Sequence, residues 1–452
     1  MFIGVNNLAR KIKNCYVGVD GKARKIKAVY VGVDGKARLV WQQILDKVKS
    51  FSSVIKTNPY VVDSIGYSYK TFRGGINPYI LIPSKNDNAV YLPTTTDDCH
   101  INNDYTSTKY CIRKIIFNGD NISSVKTITV GDYASGTNYS GEYYRTSITF
   151  NCLFEFGDYL FCAYSLWKNG ESFPTAYMCL CDMDNEKILS SSVGVPEIKS
   201  GFTFNDTTAV VSYGAAGVLG LIKRNGTGFS VTTYKLINPE TGYSFSGTEH
   251  FKVAKISNNI GVVIGYYGYL YACAFRLNSD NTLTLGTLVK HNSNTICNDS
   301  DTSSFISIDH NTAIFSCTYS SSGEYYSLYH IPVIVDDNLN VTFGTHLYDG
   351  YDDWRGSMNF SMFKIANKSF GGLNFSKFEL LVYEYNTNTK SITKNTLALK
   401  NASGDTSILH NLIAPLGSNS NKLVGFNYTV DSYINNTYTS NLMLVPYILE
   451  IE

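Results

Sequence analysis

The sequence lacks the short motifs that mark the common families of enzymes. It contains no GxSxG, HExxH, GxGxxG or P-loop pattern, and its seven histidines are scattered without the spacing of metal ligands. These absences leave no positive support for a catalytic or metal site. We therefore expect a protein that is not an enzyme and that binds no cofactor.

Long apolar runs are missing as well. No stretch approaches the eighteen or more apolar residues of a membrane-spanning helix, and the basic N-terminal segment lacks the apolar core of a signal peptide. These features predict synthesis in the cytoplasm and no membrane insertion. If the protein acts outside the cell, lysis of the host would be sufficient to release it.

The ten cysteines show no metal-binding or disulfide pattern. Several lie in apolar, strand-like runs such as LFCAY and YACAF, where cysteine behaves as a small buried hydrophobe. Cys179 and Cys181 are too close in sequence for a CxxC ligand pair. We expect most of the cysteines to be buried, reduced thiols.

The sequence does contain one unit that is written three times at its start. The copies FIGVNNLARKIK, YVGVDGKARKIK and YVGVDGKARLVW begin at Phe2, Tyr16 and Tyr30, fourteen residues apart. Each copy has an apolar run, a two-residue turn and a second run, which predicts a β-hairpin. Because an isolated hairpin is only marginally stable in water, we expect residues 1–41 to form an arm that docks on another surface, with a minor sheet on the main domain as the alternative. The predicted docking residues are Tyr16, Val17, Val19, Arg24, Ile26, Tyr30, Val31, Val33, Arg38 and Trp41.

This arm is basic, whereas the rest of the chain is acidic. The arm holds nine Lys or Arg against two Asp, a net charge of +7, and the remaining residues carry a net charge of −6. A basic arm can bind nucleic acid, but here the basic residues alternate with Ile, Val and Ala, and no set of stacking aromatic residues is interleaved with them. We therefore expect an acidic protein surface as the partner, and no nucleic acid.

The tandem YVGVDGKARKIK-type copies, ending in KARLVW, resemble the N-terminal repeats of virion proteins from phages and prophages of Firmicutes. In those proteins the repeats commonly precede tail, baseplate or other surface-exposed domains. The resemblance covers residues 1–41, and the first copy departs from it with Asn6-Asn7-Leu8 in place of Asp-Gly-Lys. It implies a virion component, present in several symmetric copies, whose partners are other tail, baseplate or capsid proteins.

Residues 42–58 are predicted to form a short helix that links the arm to the body. In the segment VWQQILDKVKSFSSVIK, apolar residues recur at spacings of three and four, as on one face of a helix. These residues are Trp41, Ile44, Leu45, Val48 and Phe51.

From residue 59 to residue 452, short β runs alternate with turns in recurring four-strand units. Residues 150–192 illustrate one unit, with the runs FNCLFEF, YLFCAYSLW, TAYMCLC and KILSSS. Further units fit residues 89–130, 202–237, 251–289, 304–347, 359–399 and 406–449. This pattern predicts an all-β fold, a β-propeller of about seven blades, with a pair of two-sheet sandwiches as the alternative. The last unit shows three clear strands, and we expect PYVVDSI or NPYILIP near the start of the body to supply the fourth and close the ring.

One segment combines flat aromatic rings with planar polar groups, a mixture that suits sugar binding. It is LYDGYDDWRG, residues 347–356, which we predict to be a loop between two blades. The candidate ligand-binding residues are Tyr348, Tyr351, Asp352, Asp353, Trp354 and Arg355. The alternative is a loop whose Trp caps the adjacent blade. Two acid-rich segments, CDMDNEK and VDDNLN, lack the spacing of a calcium loop and are predicted to be hairpin turns.

Together these features predict a phage virion protein whose arm docks on the particle and whose propeller faces outward. A host surface glycan is the candidate ligand of the propeller. The alternatives are a head or tail decoration protein without a ligand and a propeller enzyme that degrades glycans. Activity on cell-wall polysaccharide would distinguish the enzyme from the other two.

Overall fold

A computed structural model describes the strands and their pairing along most of the chain, and side chains mainly between residues 80 and 396. The described side chains lie within 80–94, 110–131, 148–166, 174–242, 251–292, 303–319, 327–350, 362–372 and 380–396, with short gaps, and at Phe245, Cys297, 414–416, 422–426 and Ile448. The regular elements in the described part are β-strands, so the chain is all-β. Among the residues described, no helix is long and apolar enough to cross a membrane.

The N-terminal repeats form three β-hairpins, as their two-residue turns predict. Their strands are β1 Phe2–Val5, β2 Leu8–Lys11, β3 Cys15–Val19, β4 Lys22–Ile26, β5 Ala28–Val33 and β6 Lys36–Gln42. Val19 pairs with Lys22, and Val33 pairs with Lys36, so two residues separate the paired strands in each case. In the described sheets, each hairpin pairs with no strand of the body. The side chains of the ten predicted docking residues lie outside the described residues.

The helix predicted for residues 42–58 is wrong where the structure describes this segment. Strand β6 ends at Gln42, Phe51–Lys56 forms strand β7, and residues 43–50 lie outside the described residues. Strand β7 pairs antiparallel with the C-terminal strand Asn441–Ile451, with Ile55 opposite Ile448. Pairing with a distant strand therefore overrides the local helical spacing of the apolar residues.

The body contains seven antiparallel sheets in the part of the chain that is described. Strand β8 is Tyr60–Ser64. The first sheet contains β9 Gly75–Ile76, β10 Ile82–Pro83, β11 Ala89–Ile101, β12 Tyr105–Asn118 and β13 Asn121–Thr137. The second contains β14 Tyr143–Phe156, β15 Tyr159–Lys168, β16 Thr175–Asp182 and β17 Lys187–Val193. Pairing of β13 with β14 joins these two sheets at one end.

The third, fourth and fifth sheets follow the same order of strands. The third contains β18 Ile198–Asn205, β19 Thr208–Tyr213, β20 Val218–Asn225 and β21 Gly228–Lys235. The fourth contains β22 Lys252–Lys255, β23 Ile260–Tyr267, β24 Tyr269–Leu277, β25 Leu283–Leu285 and β26 Val289–Lys290. The fifth contains β27 Asp299–Ser307, β28 Thr312–Tyr319, β29 Tyr326–Val335, β30 Val341–Phe343 and β31 Leu347–Asp352.

The sixth and seventh sheets complete the body. The sixth contains β32 Phe363–Ala366, β33 Ser369–Asn374, β34 Glu379–Asn386 and β35 Ser391–Ala398. The seventh contains β36 Ile413–Leu416, β37 Asn419–Val430 and β40 Asn441–Ile451, together with β7 and β8. Between β37 and β40, a small hairpin contains β38 Tyr433–Ile434 and β39 Thr437–Tyr438.

The seven sheets form the blades of a closed propeller. From the second blade to the seventh, the first strand of each blade contacts the first strand of the next, through β14, β18, β22, β27, β32 and β36, and β36 contacts β10 of the first blade. The first and second blades are joined by hydrogen bonds from Ser84 and Lys85 to Glu155 on β14. An apolar cluster joins the two ends of the ring, with Val90 and Phe117 of the first blade packed among Leu416 and Phe426 of the last. The rings of Phe117 and Phe426 lie 6.2 Å apart between centroids. The architecture confirms the predicted propeller of about seven blades.

Residues from the start of the body complete the last blade, as predicted. The strand within PYVVDSI, β8, pairs with β40, with Tyr60 opposite Leu444. The segment NPYILIP instead contributes β10 to the first blade, where Ile82 pairs with Tyr91. The ring is therefore held closed by pairing between early and C-terminal strands.

The apolar cores lie between neighbouring blades. Between the fourth and fifth blades, for example, Val262, Ala272 and Phe315 are completely buried in one cluster. The eight described cysteines are buried free thiols in such cores. Burial raises the pKa of both Cys152 and Cys273 to about 12, so these thiols remain protonated at neutral pH.

The two acid-rich segments are hairpin turns, as predicted. Asp182 accepts a hydrogen bond from the backbone N–H of Asn185 at 3.0 Å. Asp336 accepts from the backbone N–H groups of Asn338 and Asn340 at 2.8 and 2.9 Å. These carboxylates close the turns by bonding to local backbone donors. In the described part of the chain, no group of three or more His, Cys, Asp or Glu side chains could hold a metal ion.

Candidate functional site

The first part of the predicted sugar-binding segment is a strand, not a loop between blades. Leu347–Asp352 forms β31, which pairs with β29 at the outer edge of the fifth blade. The prediction of a loop is wrong here because the outer strand of this blade has two parts, β30 and β31, that pair with successive stretches of β29. The side chains of Tyr351 and Asp352, and all of Asp353, Trp354 and Arg355, lie outside the described residues.

Strand β31 contains a β-bulge, and its neighbouring residues Tyr348 and Asp349 differ in exposure. From Tyr348 to Tyr351, β31 contains one residue more than the facing stretch of β29, from Ser327 to Tyr329. Gly350 within this bulge has φ +81°, a conformation that favours glycine. The side chain of Tyr348 points to solvent, and the residue is 49% exposed. Its neighbour Asp349 is buried at 9% exposure, so these two adjacent residues face solvent and the protein interior, respectively.

Tyr348 belongs to a surface cluster of aromatic and imidazole rings, which we call the rim patch. Its members are His291 of the fourth blade and Tyr329, Phe343, His346 and Tyr348 of the fifth. Tyr329 and Tyr348 lie opposite each other on β29 and β31, and their ring centroids are 5.4 Å apart. His346 lies 5.8 Å from Tyr329 and 6.4 Å from His291 between ring centroids. The patch therefore extends across the boundary between two blades.

The rim patch offers flat rings and polar groups to solvent. Burial, together with the neighbouring Tyr348, raises the pKa of Tyr329, so its hydroxyl stays protonated at neutral pH. Tyr348 and His346 are exposed, whereas Tyr329, Phe343 and His291 are half-buried beside them. Ring faces of this kind can stack on the apolar face of a sugar, while imidazole and phenol groups hydrogen-bond to its hydroxyls.

A buried polar network lies beneath the rim patch, between the fifth and sixth blades. Ser316 Oγ is 2.8 Å from His330 Nδ1, and His330 Nε2 is 3.8 Å from Asp349 Oδ2. The order Ser, His, Asp is that of a catalytic triad, but Ser316 is 2% exposed and His330 is completely buried. A substrate cannot reach this hydroxyl in the folded protein, so the arrangement positions side chains rather than performing acyl transfer.

Asp349 is the centre of this network. It accepts hydrogen bonds from the Tyr383 hydroxyl and from Lys394 Nζ, the latter at 2.5 Å. Burial alone would raise the pKa of Asp349, but the neighbouring His330 and the hydrogen bonds from Lys394 and Tyr383 outweigh it and hold the pKa below its usual value. The carboxylate therefore ties β31, which carries Tyr348, to the sixth blade.

The local sequence indicates Tyr348 as a binding residue but gives no sign of most of the residues around it. The rim patch residues His291, Tyr329, Phe343 and His346 come from three separate stretches of sequence. The network residues Ser316 and His330 had one available signal, since each is a polar residue inside an otherwise apolar strand, TAIFSCT and YSLYHIPVI. Their neighbours across the blade boundary, Tyr383 and Lys394, had no such signal.

Comparison with known proteins gives distant structural similarity. No protein-family model matches the chain, and no curated protein matches it. The chain is similar to a protein of unknown function from Desulfotomaculum acetoxidans, with 11% identity, a TM-score of 0.38 and coverage of 74% of this chain and 95% of that chain. It is similar to the WD40 domain of SCAP from fission yeast, with 10% identity, a TM-score of 0.34 and coverage of 87% and 98%.

A third similar structure is a candidate 6-phosphogluconolactonase from Bacteroides fragilis. It has 14% identity to this chain and a TM-score of 0.28, and the match covers 60% of this chain and 91% of that one. TM-scores below 0.5 support no conclusion about activity. The assignment of the propeller accordingly rests on the sheet topology, and no enzymatic activity is established.

Proposed function

We propose that this protein is a structural component of a phage virion, with an N-terminal arm that docks on the particle and a propeller that faces outward for attachment. The observation that carries the proposal is the separation of three self-paired hairpins from a closed ring of blades in the described sheets. A two-stranded hairpin is marginally stable by itself, so the arm gains stability from a partner surface. The resemblance of residues 1–41 to repeats of phage virion proteins supports a particle as that partner.

The body needs no strand from the arm to complete its ring. The strands that close the last blade, β7 and β8, begin at Phe51 and Tyr60, after the last hairpin has ended at Gln42. Removal of the arm therefore leaves each blade with its strands. This separation makes docking and folding independent, which permits a direct test.

The test compares full-length protein with a chain that lacks residues 1–42. We expect the truncated chain to be soluble, with an unchanged far-UV circular dichroism spectrum and melting temperature, but absent from purified particles. The full-length Tyr348→Ala variant is the matched control, and it should be incorporated normally. Truncated protein on particles at normal copy number would refute the docking role.

The rim patch is the proposed contact with the host, and a surface glycan is the proposed ligand. The support is the exposed Tyr348 ring held beside Tyr329, His346 and His291 across two blades. Tyr348→Ala should weaken binding to purified host cell-wall polysaccharide about five- to tenfold, because a stacked aromatic ring contributes about 1 kcal/mol or more. Tyr267→Ala is the control, since Tyr267 is a similarly exposed tyrosine, at 43%, outside the patch.

The remaining hypotheses give different results in the same assay. A decoration protein without a ligand would show no saturable binding of the wild-type protein to the polysaccharide. A glycan-degrading enzyme would release new reducing ends from it during incubation. We expect saturable binding without release of reducing ends.

A further inference from the structure

Four successive blades bring polar residues to one end of the propeller axis. Lys85 follows β10, Glu155 and Thr203 lie near the ends of β14 and β18, and Lys255 is the last residue of β22. Each of these positions adjoins the turn from the first to the second strand of its blade. Contacts between β14, β18 and β22, together with hydrogen bonds from Lys85 to Glu155 and to Thr203 and from Lys255 to Thr203, bring the four residues together, and we call them the axial cluster.

The carboxylate of the axial cluster is occupied by donors from the first blade. Glu155 accepts hydrogen bonds from Ser84 Oγ at 2.7 Å, from the backbone N–H of Lys85 at 2.8 Å and from the Tyr91 hydroxyl at 3.0 Å. The residue is 6% exposed. All three donors are neutral, and the described hydrogen bonds to the Glu155 carboxyl include none from an ammonium group.

Two ammonium groups converge on Thr203. Lys85 Nζ donates to Thr203 Oγ1 at 2.8 Å, and Lys255 Nζ donates to the backbone carbonyls of Thr203 and Phe204 at 3.1 and 2.8 Å. An ammonium group has three N–H donors, so the two groups together offer six, of which the described bonds use three. Each acceptor is a neutral oxygen. Half of the donor capacity of this cationic pair is therefore available to a ligand.

The charge around Thr203 is mixed, because the ammonium groups of Lys85 and Lys255 lie among the carboxylates of Glu155 and Asp206. Burial lowers the pKa of Lys85, although Glu155 and the exposed Asp206 oppose this shift. Burial also lowers the pKa of Lys255, and the nearby Lys85 adds to the effect. Lys85 is exposed along part of its side chain, so solvent can reach the pair even though its ammonium end is crowded by protein atoms. The described hydrogen bonds join neither ammonium group to a carboxylate, so an anion can compete for the remaining N–H donors.

We propose that the axial cluster binds a phosphate group between the ammonium groups of Lys85 and Lys255. A phosphate dianion matches the two positive charges and has enough oxygens to accept the free N–H donors, whereas a carboxylate neutralises only one charge. The phosphate could be free or part of a phosphate-bearing polymer such as poly(glycerol phosphate). This site lies at the axis of the first four blades and is independent of the arm and the rim patch.

Titration calorimetry of the full-length protein at pH 7 and constant ionic strength tests the proposal. Inorganic phosphate and glycerol 1-phosphate are the probes, and acetate and chloride are the comparison anions. We expect saturable, millimolar or tighter binding of both phosphates and at least tenfold weaker binding of acetate. Equal affinity for the two phosphates would indicate recognition of the phosphate group alone, and tighter binding of the ester would indicate a polymer as the source; both support the site.

Variants locate the binding. Lys255→Gln and Lys85→Gln should each reduce phosphate affinity at least tenfold, while Lys199→Gln should leave it unchanged. Lys199 is the matched control because it lies on β18 at the opposite end from Thr203, where Glu197 is 3.1 Å away. If Lys255→Gln fails to fold, the more exposed Lys85→Gln carries the test. The absence of saturable phosphate binding up to 10 mM, equal binding of acetate, or full affinity in both lysine variants would overturn the proposal.

Discussion

Replacement of Asp349 by Asn is the sharpest test of how the fifth and sixth blades are held together. The substitution keeps the shape of the side chain but removes its charge. Asn can still accept one hydrogen bond from the Tyr383 hydroxyl, but its amide group places N–H donors near Lys394 or near Tyr383. The ion pair between Asp349 and Lys394 is lost in either orientation.

The expected cost follows from burial and bond type. Hydrogen bonds to a charged group contribute about 1.5–3 kcal/mol each, and Asp349 accepts two, from Tyr383 and Lys394. Breaking a fully buried ion pair costs about 3–5 kcal/mol, but the Lys394 side chain is 32% exposed and can recover water as a partner. We therefore expect Asp349→Asn to lower the free energy of unfolding by about 2–4 kcal/mol.

Urea unfolding followed by tryptophan fluorescence and circular dichroism measures this change. The control is Glu240→Gln, which also neutralises a carboxylate in an ion pair; Glu240 is 52% exposed and lies 2.6 Å from Lys290, itself 29% exposed, so this substitution should cost clearly less than Asp349→Asn. The low pKa of Asp349 adds a sign test: its stabilisation is present above the ordinary value of 3.8 and is lost as pH falls through the lower pKa of the folded state. The difference between wild type and Asp349→Asn should accordingly shrink at strongly acidic pH. Equal costs for the two substitutions at pH 7 would refute the reasoning.

Three further perturbations have defined outcomes. Burial lowers the pKa of His330 below 6.5, so the unfolded chain binds a proton at a higher pH than the folded chain does. The free energy of unfolding should therefore fall by up to about 1.4 kcal/mol per pH unit below pH 6.5, and His330→Asn should flatten this part of the pH profile measured by urea unfolding. An unchanged profile in the variant would show that another group is responsible. Gly344→Ala would place a methyl group 2.7 Å from the carbonyl oxygen of Lys390 in the next blade and should lower the free energy of unfolding by about 1–3 kcal/mol. Gly228→Ala is the control, because the nearest atom to its methyl group is 3.7 Å away and the change should be nearly neutral. Similar melting temperatures for the two variants would contradict this expectation. Deletion of residues 1–66 removes β7 and β8 and should lower the melting temperature, unlike removal of the arm alone, and hydrogen exchange should locate the loss in β40.

Local sequence predicted the elements whose conformation depends on near neighbours. The Asp-Gly turns between apolar runs predicted the hairpins of the arm, because a two-residue turn fixes the register of the strands on either side. The same logic predicted the turns at Asp182 and Asp336, whose carboxylates bond to their own backbone. The repeated four-strand units predicted the propeller, since such sheets bury both faces by packing on their neighbours.

The sequence could not decide what depends on distant partners. Phe51–Lys56 has helical spacing, yet it is a strand because β40 offers it a free edge from the other end of the chain. Leu347–Asp352 follows a complete four-strand unit, yet it pairs with β29 because β30 leaves part of that strand uncovered.

The candidate sites show the same division. The local sequence alone showed that aromatic and polar residues are concentrated around Tyr348, because these residues are contiguous in the chain. The tertiary structure decided that His291 joins it from another blade, that Asp349 beneath it is fixed by Lys394, and that two lysines 170 positions apart meet at Thr203. Contacts between blades bring these residues together, and such contacts depend on the geometry of the closed ring rather than on any local pattern.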